Sequence, residues 1–422
     1  MVRRSSLAAM LAGAALAFAF GAASAQQPPQ PLPAEALIDA PDAAKVAFLK
    51  DHVVVSGPVT GGLTFAFPAS FYDNKLFLLG ESHGVAAPQV LDLELLTHLN
   101  ARIGLTDYVA EVDPVQGARL NQYLDTGDEA VLDRVFDYWT ESGAQWGNTA
   151  FEAKIRGIRT LNLTLPENRR IHIMGIDAVQ DWPLTTAWLG EQGVTVDAAA
   201  LTAATTNAAR AAVLLAALPA TSPVPVLTRL RGALTATVAA AGREGVIFDT
   251  YSKAVTGGEL GDRPAYGLWG IFHVIQGGVN NAKPFASRVV ASDLPTAHRI
   301  VSLAVLSLDS AVQVPVPMPG GVQRMRLDNF NIDGPFVKVK GSATLRAATT
   351  PDTITLFDPG AAGTPFTSGG DFTDIRTSIG QNFVMDDPAL PTAAFIQYLG
   401  VFRNSDWAPP RAEGPRTEAT QP

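Results

Sequence analysis

The sequence predicts an α/β fold, a mostly parallel sheet flanked by helices with an inserted helical cap, and three observations carry that reading. First, "KLFLLG" (75–80), "TDYVAEVDP" (106–114) and "RIHIMGIDA" (170–178) are short strand-like runs with helical stretches between them. Second, Leu91, Leu95, Leu99 and Ile103 recur every four residues after the first run, so strand, helix and strand follow one another at a spacing that implies parallel strands and a right-handed crossover. Third, residues 183 to 245 are dominated by Ala, Leu and Thr and interrupted at Pro219, Pro223 and Pro225, a composition that favours several helical pieces over strands.

Taken in order, residues 1–25 have the layout of a secretory signal peptide. Arg3 and Arg4 precede an uncharged Ala/Leu/Phe run, and Ala23-Ser24-Ala25 stands before Gln26 as an A-x-A cleavage site. The run is shorter than the roughly 20 residues that cross a bilayer, so no membrane span is expected in the mature chain and the protein is read as exported, periplasmic or secreted. Residues 26–42 form a Pro-rich leader and 408–422 a polar tail, both poor in large apolar residues and read as disordered. Between them, 43–407 is read as a single α/β catalytic-type domain. Residues 43–72 suggest a short helix and a hairpin-like passage around Gly-Pro and Gly-Gly turns. Pro88 suits the first turn of the next helix and Gly104 closes it. "VQGARLNQYL", "DEAVLDRVFDYW" and "NTAFEAKIRGIRTLN" read as helices within 115–163. The helical insertion is placed at 183–250, and the chain then returns to strand and helix through "AYGLWGIFHVIQGG", "PFASRVVASD" and "HRIVSLAVLSL", ending in a Gly/Pro-rich region with further strands.

Composition narrows the function. With 31 Lys and Arg against 40 Asp and Glu the formal charge is −9, and it becomes −11 once the two arginines of the leader peptide are removed. An acidic chain without a basic run is unsuited to nucleic acid. The absence of cysteine excludes disulfides, thiolate catalysis and sulfur-ligated metal sites, so any metal would have to sit on imidazole and carboxylate.

The stretch "GESHG" (80–84) satisfies G-x-S-x-G, which would make Ser82 the nucleophile of an α/β-hydrolase. A nucleophile elbow starts its helix at the serine, whereas Pro88 sets the helix start about six residues beyond Ser82. Few strands precede it, and a late histidine such as His298 would have to complete the triad. The other reading takes the polar residues at the strand ends. Ligand sites of open parallel sheets lie outside the carboxyl ends of the strands, and those ends carry Glu81 and His83, then Glu111 and Asp113, then Asp177. Asp113 before Pro114 is also a turn signal, and each of the others alone suits a cap or a solvated loop. "GIFH" (270–273) repeats the G-x-x-H of "GESH" and offers His273 to the same rim, although a histidine in so apolar a stretch is by default a buried structural residue. His52, His98, His172 and His298 read as surface or boundary residues. Arg156 and Arg159, three apart on one helical face, could pair with the rim acids or form a solvated ion pair.

"LLGESHG" with its Leu-rich helix, "YVAEVDP", Trp146 and Asn148 opening a helix with Arg156, Arg159 and Asn162, "IHIMGIDA" and the later Gly-x-x-His together resemble the erythromycin esterase-like proteins. Their wider superfamily takes in TraB/Tiki-type and haem-binding uptake-type proteins. The resemblance covers residues 75–180 well and 264–310 loosely. It implies that His83 is the general base on a water, that Glu81 and Glu111 orient and polarise around it, and that His273 completes the site; Asp177 and Asp113 are additional candidates from their place at the strand ends alone. One residue fewer separates Glu81 from His83 than is usual in the esterases, and their arginine early in the next helix has no match before Arg102, so macrolide specificity is not implied. The expected function is an exported hydrolase of an ester, amide or peptide-like substrate, small molecule or peptide. His83, His273, Glu81 and Glu111 are equally a set on which a divalent metal could sit. The uptake-type relatives imply instead a non-covalent haem- or iron-binding protein, since no C-x-x-C-H attachment is present. The minor alternative is a Ser82-dependent α/β-hydrolase.

Overall fold

Among the described residues, thirteen strands are interspersed with helices along the chain. They are β1 (Val53–Pro58), β2 (Thr64–Phe65), β3 (Leu76–Glu81), β4 (Asp107–Ala110), β5 (His172–Gly175), β6 (Ala265–Gly270), β7 (Ile300–Leu308), β8 (Val312–Met318), β9 (Gly321–Leu327), β10 (Val337–Val339), β11 (Thr353–Phe357), β12 (Ile375–Thr377) and β13 (Tyr398–Arg403). The structure, a computed structural model, describes residue 32 and residues 39–318, 321–328, 330–378 and 382–411. The signal peptide expected at 1–25 lies outside the described residues.

Nine strands form one sheet in the order β2-β1-β11-β13-β7-β3-β6-β4-β5. From β13 to β5 every neighbouring pair is parallel, and the β11, β1 and β2 edge is antiparallel. The expected mostly parallel α/β sheet is therefore what the chain forms. The alternation of β3, helix and β4 does not make those two strands neighbours. β6, which follows the helical insertion, pairs with β3 from Leu76↔Ala265 to Glu81↔Gly270 and separates it from β4.

Each element forms for a local reason. Every residue of β3 is buried, as a strand covered on both faces requires. The helix Ala87–Ile103 carries Pro88 in its first turn and ends on Gly104 in the left-handed region. Its Leu91, Leu95 and Leu99 are fully buried, each contributing about 2 kcal/mol of burial. Asp113 caps Pro114–Thr126 in a capping box with Gln116, and Asn148 caps Thr149–Thr164 by accepting from the Phe151 amide. The Ala-rich region forms Trp182–Glu191, Ala198–Ala203, Asn207–Ala217, Pro225–Val238 and Gly242–Thr256. Among the described residues no helix is long and apolar enough to cross a membrane.

Two composition-based expectations need correction. Residues 39–42, assigned to a disordered leader, are tied down: the Asp39 carboxylate accepts from the Gly341 and Ala343 amides and the Ser342 hydroxyl, and Asp42 caps Ala43–Asp51. Residues 408–411, assigned to a disordered tail, are held by backbone bonds to residues 84 and 147–149. Neither segment needs large apolar side chains, because carboxylate caps and main-chain pairing do the anchoring. His98 is also not a plain surface residue. Its Nε2 is hydrogen-bonded to the Tyr72 hydroxyl at 2.8 Å and its ring stacks on Phe65 at 4.5 Å. His52 stacks on Phe48, whereas His172 and His298 are exposed.

Candidate active site

Parallel strands bring their carboxyl ends to one rim, and the polar residues that close β3, β4, β5 and β6 meet there. Glu81 is the last residue of β3 and is 4 % exposed. Its Oε1 lies 3.0 Å from Nδ1 of His83, and Gln89 Nε2 donates to both of its oxygens at 3.1 Å. Burial pushes the Glu81 carboxyl up, opposed by the hydrogen bond and charge of His83 and by Lys154. Facing a carboxylate, Nδ1 of His83 is the donor nitrogen, which leaves the Nε2 lone pair on the other side of the ring. That Nε2 stands 3.9 Å from Glu111 Oε2, too far for a hydrogen bond. Trp146 flanks the imidazole, with ring centroids 5.2 Å apart. Burial would lower the His83 pKa, but Glu111 and then Glu81 outweigh it and hold it above the usual value.

One glycine makes room for this histidine and another packs the loop that carries it. Gly270 donates its N–H to Glu111 Oε2 at 2.7 Å, and a Cβ there would lie 3.0 Å from His83 Nε2. Gly84 has φ +90°, and a Cβ on it would sit 2.5 Å from the Gln313 carbonyl oxygen. The Gly84 carbonyl in turn accepts from the Gln313 and Ala408 amides. The second glycine of "GESHG" thus serves the packing of the loop.

Glu111, just past β4, is the hub. Its Oε1 receives Arg243 Nη2 at 2.7 Å and lies 3.3 Å from His273 Nε2. Burial would raise this carboxyl, but His273, Arg243 and His83 overcome it and hold it well below the carboxylate range. His273, in the short helical turn after β6, sits between two acids, with Nδ1 2.8 Å from Glu244 Oε1. Glu111 and Glu244 outweigh its burial and push it up to about 9, so it is an imidazolium at neutral pH. Arg243 Nη1 lies 3.2 Å from His273 Nε2. A guanidinium only donates, so beside an imidazolium this is a close approach of like charges, neutralised by Glu111 and Asp177. Asp177, fully buried after β5, receives Arg243 Nε and Nη2, the latter at 2.6 Å. Arg243 is accordingly held in its charged form.

The structure therefore gathers Glu81, His83, Glu111, Asp177 and His273. Asp113 stays outside that hydrogen-bonded set. Its carboxylate caps Val115 and Gln116 and reaches the Gln180 amide, and burial raises it to about 6 despite those bonds. Arg156 pairs with Glu129 and Glu152, and Arg159 with the Leu124 carbonyl, neither with a rim acid. The rim arginine is Arg243, which sequence reasoning missed together with Glu244. Both open the helix Gly242–Thr256, inside the region read as a cap. Their one sequence signal is position, as the first charges after an uncharged run from Gly232 to Gly242. Among the described residues no group of three or more His, Asp or Glu is placed to hold a metal ion. Glu111 is already engaged by Arg243, His273 and the Gly270 amide, so the four-residue metal set does not fit.

Ser82 lies half-buried in the loop, and the helix begins at Ala87. β3 pairs in parallel with β7 from Leu76↔Ile300 onward, and His298 precedes β7. Ser82 and His298 therefore occupy opposite ends of adjacent parallel strands, about 25 Å apart at roughly 3.3 Å per residue. No triad can form between them.

No family model matches the chain, and no curated protein matches it. Solved structures do. A succinoglycan biosynthesis protein superposes with TM-score 0.59 at 11% identity, covering 87% of this chain and 98% of that one. A protein from Bacillus cereus gives 0.53 at 13% identity, with coverage of 87% and 98%. An erythromycin esterase mutant in its open conformation gives 0.51 at 14% identity, covering 80% of this chain and 92% of the other. At these identities the likeness establishes the architecture: the chain has the fold found in the erythromycin esterase structure.

Proposed function

We propose that the protein is a hydrolase in which His83 activates a water against an ester, amide or peptide-like carbonyl. The observation that carries this reading is the asymmetry of the two histidines. His83 has Nδ1 fixed by buried Glu81, and its other nitrogen faces the rim without a hydrogen-bond partner among the described residues. His273 is clamped as an imidazolium between Glu111 and Glu244. Environments that separate two titrating groups in this way assign one as base and the other as acid.

In the proposed reaction the His83 Nε2 accepts a proton from the attacking water, and the imidazolium that forms is stabilised by Glu81 on one side and Glu111 on the other. In this reading the Arg243 guanidinium, 32% exposed and held by Glu111 and Asp177, supplies N–H donors toward the negative charge developing on the substrate oxygen. The proton returned to the leaving group comes, in the same reading, from His273. The fold shared with an esterase supports ester substrates first.

The test is the pH dependence of kcat/KM on a panel of esters and peptides. The base must be neutral, so the rate rises with pH through the His83 pKa, above the usual ~6.5. The acid must be charged, so the rate falls again around pH 9 as His273 loses its proton. A bell with those two limbs is expected. A Soret absorbance in the purified protein with no turnover on any substrate would overturn the reading.

A further inference from the structure

The two loops that frame His83 are bound together from outside by the segment Ser405–Arg411. Gly84–Ala86 directly follows His83, and Gly147–Thr149 directly follows Trp146. On the first loop, the Ala87 amide donates to the Ser405 hydroxyl at 3.0 Å and the Ala86 amide to the Asp406 carbonyl at 3.1 Å. Ala408 N–H donates to the Gly84 carbonyl at 2.9 Å. On the second, the Thr149 amide donates to the Pro409 carbonyl at 2.9 Å and the Arg411 amide to the Gly147 carbonyl at 3.2 Å. Val85 opposes Trp407, and Asn148 opposes Pro410, as antiparallel bridges. Gln313 ties the middle, its side-chain Nε2 donating to the Ala408 carbonyl at 2.6 Å.

Arg411 ends the segment, and its guanidinium pairs with Asp133, with Asp137 at 2.9 Å and with Glu152 at 3.0 Å while only 16% exposed. Asp133 and Asp137 share the helix Glu129–Glu141, and Glu152 lies in the first turn of Thr149–Thr164. One side chain therefore anchors the segment to both helices that flank the Trp146 loop. A fork of donors meeting three carboxylates fixes geometry in a way a single exposed ion pair does not.

We propose that Ser405–Arg411 is a strap that positions the His83 imidazole between Glu81 and Trp146, and that Arg411 is the positioning residue that anchors it. The kinetic consequence rests on His83 being the base proposed above, while the positional one does not. With the anchor released, the Trp146 loop and the Gly84 loop are no longer held against each other. The His83 ring then loses its fixed relation to Glu81, Glu111 and His273.

The test uses the full chain with Arg411→Gln, with Asp133→Asn/Asp137→Asn as a second route to the same release should Arg411→Gln fail to fold, and with Arg411→Lys as the conservative variant. In protein labelled with nitrogen-15 histidine, the His83 ring signals, assigned by their loss in His83→Ala, are expected to shift and broaden in both releasing variants. Their titration should move down toward the unperturbed value of about 6.5. On a turned-over substrate kcat should fall about tenfold with KM within about twofold, and Arg411→Lys should recover part of the loss. His83 signals and titration unchanged in both releasing variants would overturn the proposal, whatever happens to thermal stability. Failure to find any hydrolysed substrate would count against the hydrolase reading alone, because the ring signals report the strap without turnover.

Discussion

His83→Ala is expected to lower kcat by about 10²–10⁴-fold, the usual worth of a positioned general base, with little change in the fold. The imidazole is 17% exposed and makes one hydrogen bond, to Glu81, so its removal should move the melting temperature by no more than a few degrees. Circular dichroism and a steady-state assay on the same preparation decide it. A variant that keeps its helical signal and its kcat would remove His83 from the chemistry.

Arg243→Leu is expected to act chiefly on stability. The guanidinium is the cation that Glu111 and Asp177 share, and both carboxylates are buried. Taking one partner out of a buried ion pair costs roughly 3–5 kcal/mol, and the low end, about 3 kcal/mol, applies because Arg243 is 32% exposed. The pH dependence fixes the cause. Glu111 is held below its unfolded value in the native state, so its contribution is present at neutral pH and is lost as pH falls below about 4.3. The gap in urea-unfolding free energy between wild type and Arg243→Leu should therefore be widest near pH 7 and narrow on acidification. A gap that stays constant with pH would show that the lost packing of the side chain, not its charge, sets the cost.

The sequence disclosed the part of this site that lies on strand ends. Glu81, Glu111 and Asp177 each stand just where an apolar strand stops, and parallel strands bring such points to one rim whatever the details of packing. His273 is legible through its echo of "GESH", whereas the part played by Gly270 is visible only in the fold: without a Cβ it leaves space beside His83 Nε2. Arg243 and Glu244 were not legible, because no local pattern links them to Glu111. They arrive through a helix from the far end of the Ala-rich insertion, and that insertion reads only as helix. The placement of β6 between β3 and β4 was hidden for the same reason. The strap was misjudged because composition measures apolar burial, and Ser405–Arg411 is held by main-chain hydrogen bonds and one guanidinium.

The serine pattern in "GESHG" is accounted for differently from its appearance. Gly80 lies within a fully buried strand, Gly84 takes a left-handed turn against Gln313, and the functional pair between them is Glu81 with His83. Ser82 lies in the intervening loop, and His298, the late histidine that would complete a triad with it, precedes β7 at the other end of the adjacent strand.

That distinction gives the most direct test of the account. Hydrolysis of the ester panel is measured for wild type, Ser82→Ala and His83→Ala with a chelator present throughout, and quenched samples are weighed by intact-protein mass spectrometry. The account predicts that Ser82→Ala keeps activity within about threefold of wild type, that His83→Ala loses about 10²-fold or more, and that no acylated chain accumulates. Loss of activity in Ser82→Ala as deep as in His83→Ala, with an acyl group trapped on Ser82 in the wild type, would contradict it.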